Sequence, residues 1–170
     1  LGPERPVVIL AENGIDHALV QLGGMHAGIP VAPVSPAYSL ASTDHGRLRE
    51  IVSQLDPRVV FAADVERFRP ALRAAGLEGA AVIGHSEVEV MAARPPSQVD
   101  AAFAGIGPDT IAKILFTSGS TGVPKGVVNT QRMLCSNQEA IAQGWPFVEA
   151  SAPETVDWLP WSHTFGGNHN

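Results

Sequence analysis

The strongest constraint on the fold is an alternation between short apolar runs and longer segments of helical spacing. Val7-Val8-Ile9-Leu10 has no polar residue to turn toward water, which predicts a strand covered on both faces. Asn13-Gly14 interrupts it. From Ile15 the spacing changes, and Ile15, Leu19, Leu22 and Met25 fall on one helical stripe. Gly28 stands where that helix would stop, and 29–34 reads as the next strand. Strand, helix and strand with short joints make a βαβ unit, hence parallel pairing and a right-handed crossover.

The pattern continues. Thr43 is placed to cap a helix through Leu55, with Leu48, Ile51, Val52 and Leu55 on its apolar face. Pro57 precedes a strand at 58–62. Asp64 is placed to cap a helix with Val65, Phe68, Leu72 and Ala75, ended by Gly76, and a strand at 80–84 follows. Such alternation predicts an α/β fold, layered, with a mostly parallel sheet and flanking helices.

The chain divides into a repeating βα part at 1–93, a Pro- and small-residue-rich linker or long loop at 94–109, and a different segment at 110–170. In that last segment 111–117 is the clearest strand. A loop follows to Gly126, then a short strand at Val127-Val128 and a helix over about 130–143. A further strand is expected at 155–159.

Composition narrows the function. Eleven Lys and Arg against 17 Asp and Glu give a net charge of -6, which argues against a broad nucleic-acid or anionic-membrane surface. No apolar run approaches the length needed to span a bilayer. The single cysteine, Cys135, excludes a disulfide framework and suits a reducing, cytoplasmic setting. Cys135 itself is expected to be a small buried residue on a helix. His163 and His169 lack a supporting Cys or carboxylate at ligand spacing, so no metal site is expected. The start at Leu1 and the stop after a dense aromatic and polar run suggest a piece of a longer protein.

The chemistry concentrates in Thr117-Ser118-Gly119-Ser120-Thr121-Gly122-Val123-Pro124-Lys125-Gly126. Three glycines permit positive φ and close approach of backbone to a ligand. Successive N–H groups in such a turn form an anion-binding concavity. Ser118, Ser120 and Thr121 add hydroxyl donors, and Lys125 adds a full positive charge. The loop follows an apolar strand, and ligands of open α/β sheets gather at the carboxyl ends of strands. The blander alternative is a glycine-rich hairpin kept soluble by its lysine. The loop is not a Walker P-loop, because Lys125 is followed by Gly126 and a strand rather than by Ser or Thr and a helix. Simple kinase and NTPase readings weaken accordingly.

The 117–127 segment resembles the phosphate-loop signature of the adenylate-forming superfamily: acyl-CoA synthetases, luciferases and peptide-synthetase adenylation domains. Leu159-Pro160-Trp161-Ser162-His163 resembles that family's next motif, Leu-Pro-x-x-His. The runs 26–40 and 161–170 most resemble feruloyl-CoA synthetases. The resemblance covers nearly the whole chain and implies part of the large N-terminal domain of such an enzyme.

It further implies an ATP-dependent acid–CoA ligase, whose substrate would be ferulate or a related hydroxycinnamate. Thr117, Ser118, Gly119, Ser120, Thr121, Gly122 and Lys125 would hold the nucleotide phosphates. Lys125 would neutralise the leaving pyrophosphate, and His163 would sit near the acyl and α-phosphate groups. ATP, Mg2+ and coenzyme A are the implied cofactors and co-substrates, with no protein metal ligand assigned. The adenine segment, hinge and late lysine of the family have no match here. The 170-residue piece is therefore expected to be inactive alone and to need the C-terminal part of the same enzyme. A fatty-acyl-CoA ligase, an adenylation domain, or a non-catalytic nucleotide-binding or interaction module that keeps the loop are the alternatives.

Overall fold

The computed structural model describes residues 4–92, 99–118, 122–151, 154 and 156–169. Six strands form one sheet. They are β1 (Val7–Leu10), β2 (Val31–Pro33), β3 (Val59–Ala62), β4 (Ala81–Ile83), β5 (Ile111–Ser118) and β6 (Pro124–Thr130). The order across the sheet is β4-β3-β1-β2-β5-β6. The first five are parallel, and β6 pairs antiparallel with β5. The α/β fold with a mostly parallel sheet is therefore as the sequence predicts.

Helices cover both faces, which is why the central strands have no outward polar position. On one face Leu48, Ile51 and Leu55 of α3 (Gly46–Leu55) and Phe68, Ala71 and Leu72 of α4 (Val65–Ala74) pack on Val8, Leu10, Ala32, Val34, Val60 and Ala62. A short helix, α2 (Ala37–Leu40), precedes them. On the other face Val20 and Met25 of α1 (Ile15–His26) and Val88 of α5 (His85–Ala92) meet Val7, Ile9, Val31 and Phe61. The chain continues through α6 (Val99–Ala104) and, after the hairpin, α7 (Gln131–Gly144), α8 (Phe147–Ala150) and α9 (Thr164–His169).

Local chemistry accounts for several boundaries. The Asp64 carboxylate accepts from Arg67 N–H at 3.0 Å and caps α4, which Gly76 closes with φ +72°. Thr130 caps α7 by accepting from Met133 N–H. Thr43 does not cap α3. That helix starts later, at Gly46, because Ser42 accepts from His45 N–H and Asp44 accepts from Gly46 N–H. His45 is held in the left-handed region at φ 51°.

Three other expectations change. Three of the four stripe residues of α1 point outward, Ile15, Leu19 and Leu22 being 80%, 52% and 59% exposed, while Met25 packs on the sheet. The sheet side of α1 is instead built from His17, Val20, Gly24 and Met25. Gly24 allows the close approach, since a Cβ there would lie 2.6 Å from Val31 Cγ1. The 94–109 stretch contains α6 rather than loop alone. No strand forms at 156–159, and Thr155 lies outside the described residues. Val156 is 98% exposed, and the Asp157 carboxylate accepts from Leu159 N–H and Trp161 Nε1–H, which turns the chain instead.

Candidate active site

Lys125 stands opposite Thr117, and Pro124 opposite Ser118, in the antiparallel register of β5 and β6. The described ends of the glycine-rich segment thus lie side by side at the carboxyl end of β5. The second strand is longer than the two valines predicted, because every residue from Pro124 to Thr130 has a partner along β5. Gly122 has φ +82°, a conformation that glycine alone adopts without strain. Ser118, Gly122 and Lys125 are exposed, whereas Pro124 is buried. Gln54 of α3 donates to Pro124 O at 3.0 Å and anchors the exit of the turn. Gly119, Ser120 and Thr121, assigned above to phosphate binding, lie outside the described residues.

His163 follows a turn in which its N–H donates to Pro160 O at 3.0 Å. Its Nδ1 accepts from Phe165 N–H at 3.3 Å, so the imidazole caps α9. A backbone N–H can only donate. Nδ1 must then carry the lone pair, which leaves the ring proton on Nε2. The side chain is exposed. Asn13, in the loop after β1, contacts the same turn through Leu159 and Trp161. β1, β2 and β5 run parallel, so Asn13 after β1 and Ser118 at the end of β5 lie at the carboxyl-end side of the sheet.

Buried polar groups support this segment from below. Lys113, only 4% exposed, donates from its ammonium to Gly167 O. Burial pushes its pKa down to about 8. Asn168 Nδ2 donates to the buried Asn129 Oδ1 at 3.0 Å, and Asn137 Nδ2 donates to Asn168 O at 2.8 Å. A Cβ on Gly167 would meet Trp161 O at 2.6 Å, so α9 lies directly on the turn that bears His163. His17 is also buried. Its ring meets that of Trp161 edge to face, centroids 5.2 Å apart, and desolvation lowers its pKa. Asn13, His17 and Lys113 were not expected in this site. Asn13 reads in sequence as a simple strand breaker, and neither of the others belongs to a motif.

Several cavities open among the described residues. A polar one of about 500 Å³ reaches Gly122 and is lined by Tyr38, Asp44, Arg47 and Glu50 among others. A larger, apolar cleft of about 910 Å³ lies between α1, α6 and the start of α7, away from the hairpin. Cys135 opens into that cleft and is exposed, not buried as expected, because α7 turns this face outward. Arg132 pairs with Asp109 at 3.3 Å. Among the described residues no three His, Cys, Asp or Glu side chains converge to hold a metal ion. No described helix is long and apolar enough to cross a membrane.

The AMP-binding enzyme family model matches residues 1–169, and the chain belongs to this family of adenylate-forming enzymes. It is 36% identical over 141 residues to a sulfoacetate–CoA ligase of Cupriavidus necator, covering 81% of this chain and 26% of that protein. It is 26% identical over 170 residues to the long-chain-fatty-acid–AMP ligase FadD23 of Mycobacterium tuberculosis, covering 94% and 27%. The crystal structure of ATP-bound MatB from Rhodopseudomonas palustris superposes with a TM-score of 0.70 at 25% identity, over 99% of this chain and 32% of that one. The chain therefore spans about a quarter to a third of the length of these relatives.

Proposed function

We propose that the polypeptide carrying this chain is an AMP-forming acid–thiol ligase. A carboxylate oxygen attacks the α-phosphorus of ATP, the bond to the β-phosphate breaks, and pyrophosphate leaves. The thiol of coenzyme A then attacks the acyl carbon and releases AMP. The first step brings an anion toward a polyanion, so positioning and charge neutralisation dominate its barrier. In this reading 1–93 and 110–170, joined through 94–109, are parts of one larger N-terminal domain. The remaining chain, the acid, ATP and coenzyme A are its partners. The reaction runs in the cytoplasm, consistent with a lone cysteine.

Backbone N–H groups and hydroxyls of Thr117, Ser118, Gly119, Ser120, Thr121 and Gly122 take the β- and γ-phosphates. Lys125 neutralises the leaving pyrophosphate. Mg2+ arrives with the nucleotide, and no residue of this chain is assigned to it. His163, with its proton on Nε2, orients the carboxylate or an α-phosphate oxygen. The observation that carries the reading is that exposed Ser118, Gly122 and Lys125 stand at the carboxyl end of β5, on the same side of the parallel sheet as the Asn13 loop that holds the His163 turn.

The acid is ferulate or a related hydroxycinnamate, on the strength of the 26–40 and 161–170 runs. A fatty-acyl ligase or an adenylation domain is supported equally by relatives such as FadD23. ATP–pyrophosphate exchange by the full-length enzyme with ferulate, long-chain fatty acids and sulfoacetate in parallel separates these. Absence of exchange with every acid, together with nucleotide or partner binding that survives Lys125→Ala, would favour the non-catalytic module.

A further inference from the structure

We infer that Asn13 is a positioning residue for the reaction: its carboxamide sets the place of His163 by clasping the backbone of the turn that bears it. Asn13 Nδ2 donates to Leu159 O at 2.8 Å, and Asn13 Oδ1 accepts from Trp161 N–H at 3.0 Å. The partners lie 146 and 148 positions away in the chain. Leu159 O can only accept and Trp161 N–H can only donate, so the orientation of the amide is fixed by its neighbours.

The spacing of the two bonds carries the argument. They fall on either side of Pro160, which has no N–H of its own to offer. One side-chain amide therefore does for residues 159 and 161 what a neighbouring strand would do, supplying one donor and one acceptor. Pro160 O, between them, accepts from His163 N–H at 3.0 Å. The peptide held by Asn13 is thus the one on which the histidine turn closes. The opposite end of the same segment is held by Lys113 at Gly167 O. A Cβ at Gly166 would lie 2.5 Å from Pro160 O, so α9 folds tightly back onto that peptide.

The geometry demands an amide at position 13. Aspartate keeps the acceptor for Trp161 N–H but turns a second lone pair toward Leu159 O. Alanine removes both bonds and leaves the β1–α1 loop without a hold on the turn. Because the clasp touches only backbone, its influence on chemistry passes through His163.

The inference rests on the ligase reading above, and the test is arranged to separate the two. In the full-length enzyme, ATP–pyrophosphate exchange is measured for wild type, Asn13→Ala, Asn13→Asp, His163→Ala and the Asn13→Ala/His163→Ala pair. Asn13→Ala is expected to lower kcat about tenfold to a hundredfold, as a displaced reacting group does, with the KM for ATP changed less than threefold. The pair is expected to be no slower than His163→Ala alone. Losses that multiply in the pair, an unaltered kcat in Asn13→Ala, or a rise confined to the KM for ATP would each overturn the inference. Should Asn13→Ala not fold, Asn13→Asp is held to the same criteria.

A second readout needs no activity. Nitrogen-15 shifts of the His163 imidazole report which ring nitrogen carries the proton. Wild type is expected to show the proton on Nε2, and Asn13→Ala or Asn13→Asp a mixture of the two tautomers. Identical shifts in wild type and variants would sink the positioning role, even if a wild type lacking exchange had already removed the ligase reading.

Discussion

Gln54 and Pro124 are joined by a hydrogen bond from the Gln54 amide to the Pro124 carbonyl, 3.0 Å long and spanning 70 positions. It ties a helix of the βα repeat to the point where the glycine-rich turn re-enters the sheet. Removing the donor leaves a carbonyl next to a buried proline without this partner. Gln54→Ala is expected to lower stability by about 1 kcal/mol. It should also speed amide exchange in β6 more than in β1. Urea denaturation with residue-resolved exchange checks both, and equal change across the two strands would count against the anchor.

Gly122 offers a test of the turn itself. Its φ is +82°, and a Cβ there would meet nothing within 4 Å. The cost of Gly122→Ala is therefore a backbone cost of about 1–2 kcal/mol, without a steric part. Gly122→Asn should recover part of it, since asparagine tolerates this region better. An alanine variant as stable as wild type in denaturant would show that the turn adopts another conformation.

Lys113 makes the alkaline side of the stability curve informative. Its pKa falls from 10.5 when unfolded to about 8 in the fold. Between these values the unfolded chain holds a proton that the folded one has released, so stability rises with pH. The full span is worth on the order of 3 kcal/mol. Lys113→Met lacks this slope. The stability of wild type relative to Lys113→Met should increase from pH 8 to pH 10. Parallel curves from denaturation at several pH values would contradict a buried ammonium.

His85 predicts the opposite sign at lower pH. Its Nδ1 lies 2.6 Å from Asp16 Oδ2, and Glu89 is 3.4 Å from Nε2. The hydrogen bond and charge of Asp16, then Glu89, raise its pKa above the ordinary 6.5. The tie between α1 and α5 is therefore fully present below pH 6.5 and fades as pH rises through the folded value. Asp16→Asn should flatten this part of the profile. Titration of the His85 ring by NMR gives the direct check, and a value at or below 6.5 would disprove the pairing.

The parallel strands were legible in sequence because a strand covered on both faces needs apolar residues at every position, as in Val7–Leu10 and Val59–Ala62. The cap by Asp64 was legible because it acts within three residues. The outward turn of Leu19 and Leu22 was not, since α1 is apolar on more than one side and Gly24, which leaves no mark in periodicity, decides the sheet contact. The strand expected at 155–159 failed because β-branched and aromatic residues favour a strand only where a partner edge is available.

The amino-acid sequence alone therefore determined the βα alternation, the strand that leads into the glycine-rich segment with its lysine, Lys125, and the family that these residues mark. Those features depend on neighbours a few positions apart. The company of His163 was decided only in three dimensions. Asn13, His17 and Lys113 reach its segment from far along the chain, and no local pattern records which distant backbone groups a folded sheet edge will bring within hydrogen-bond range.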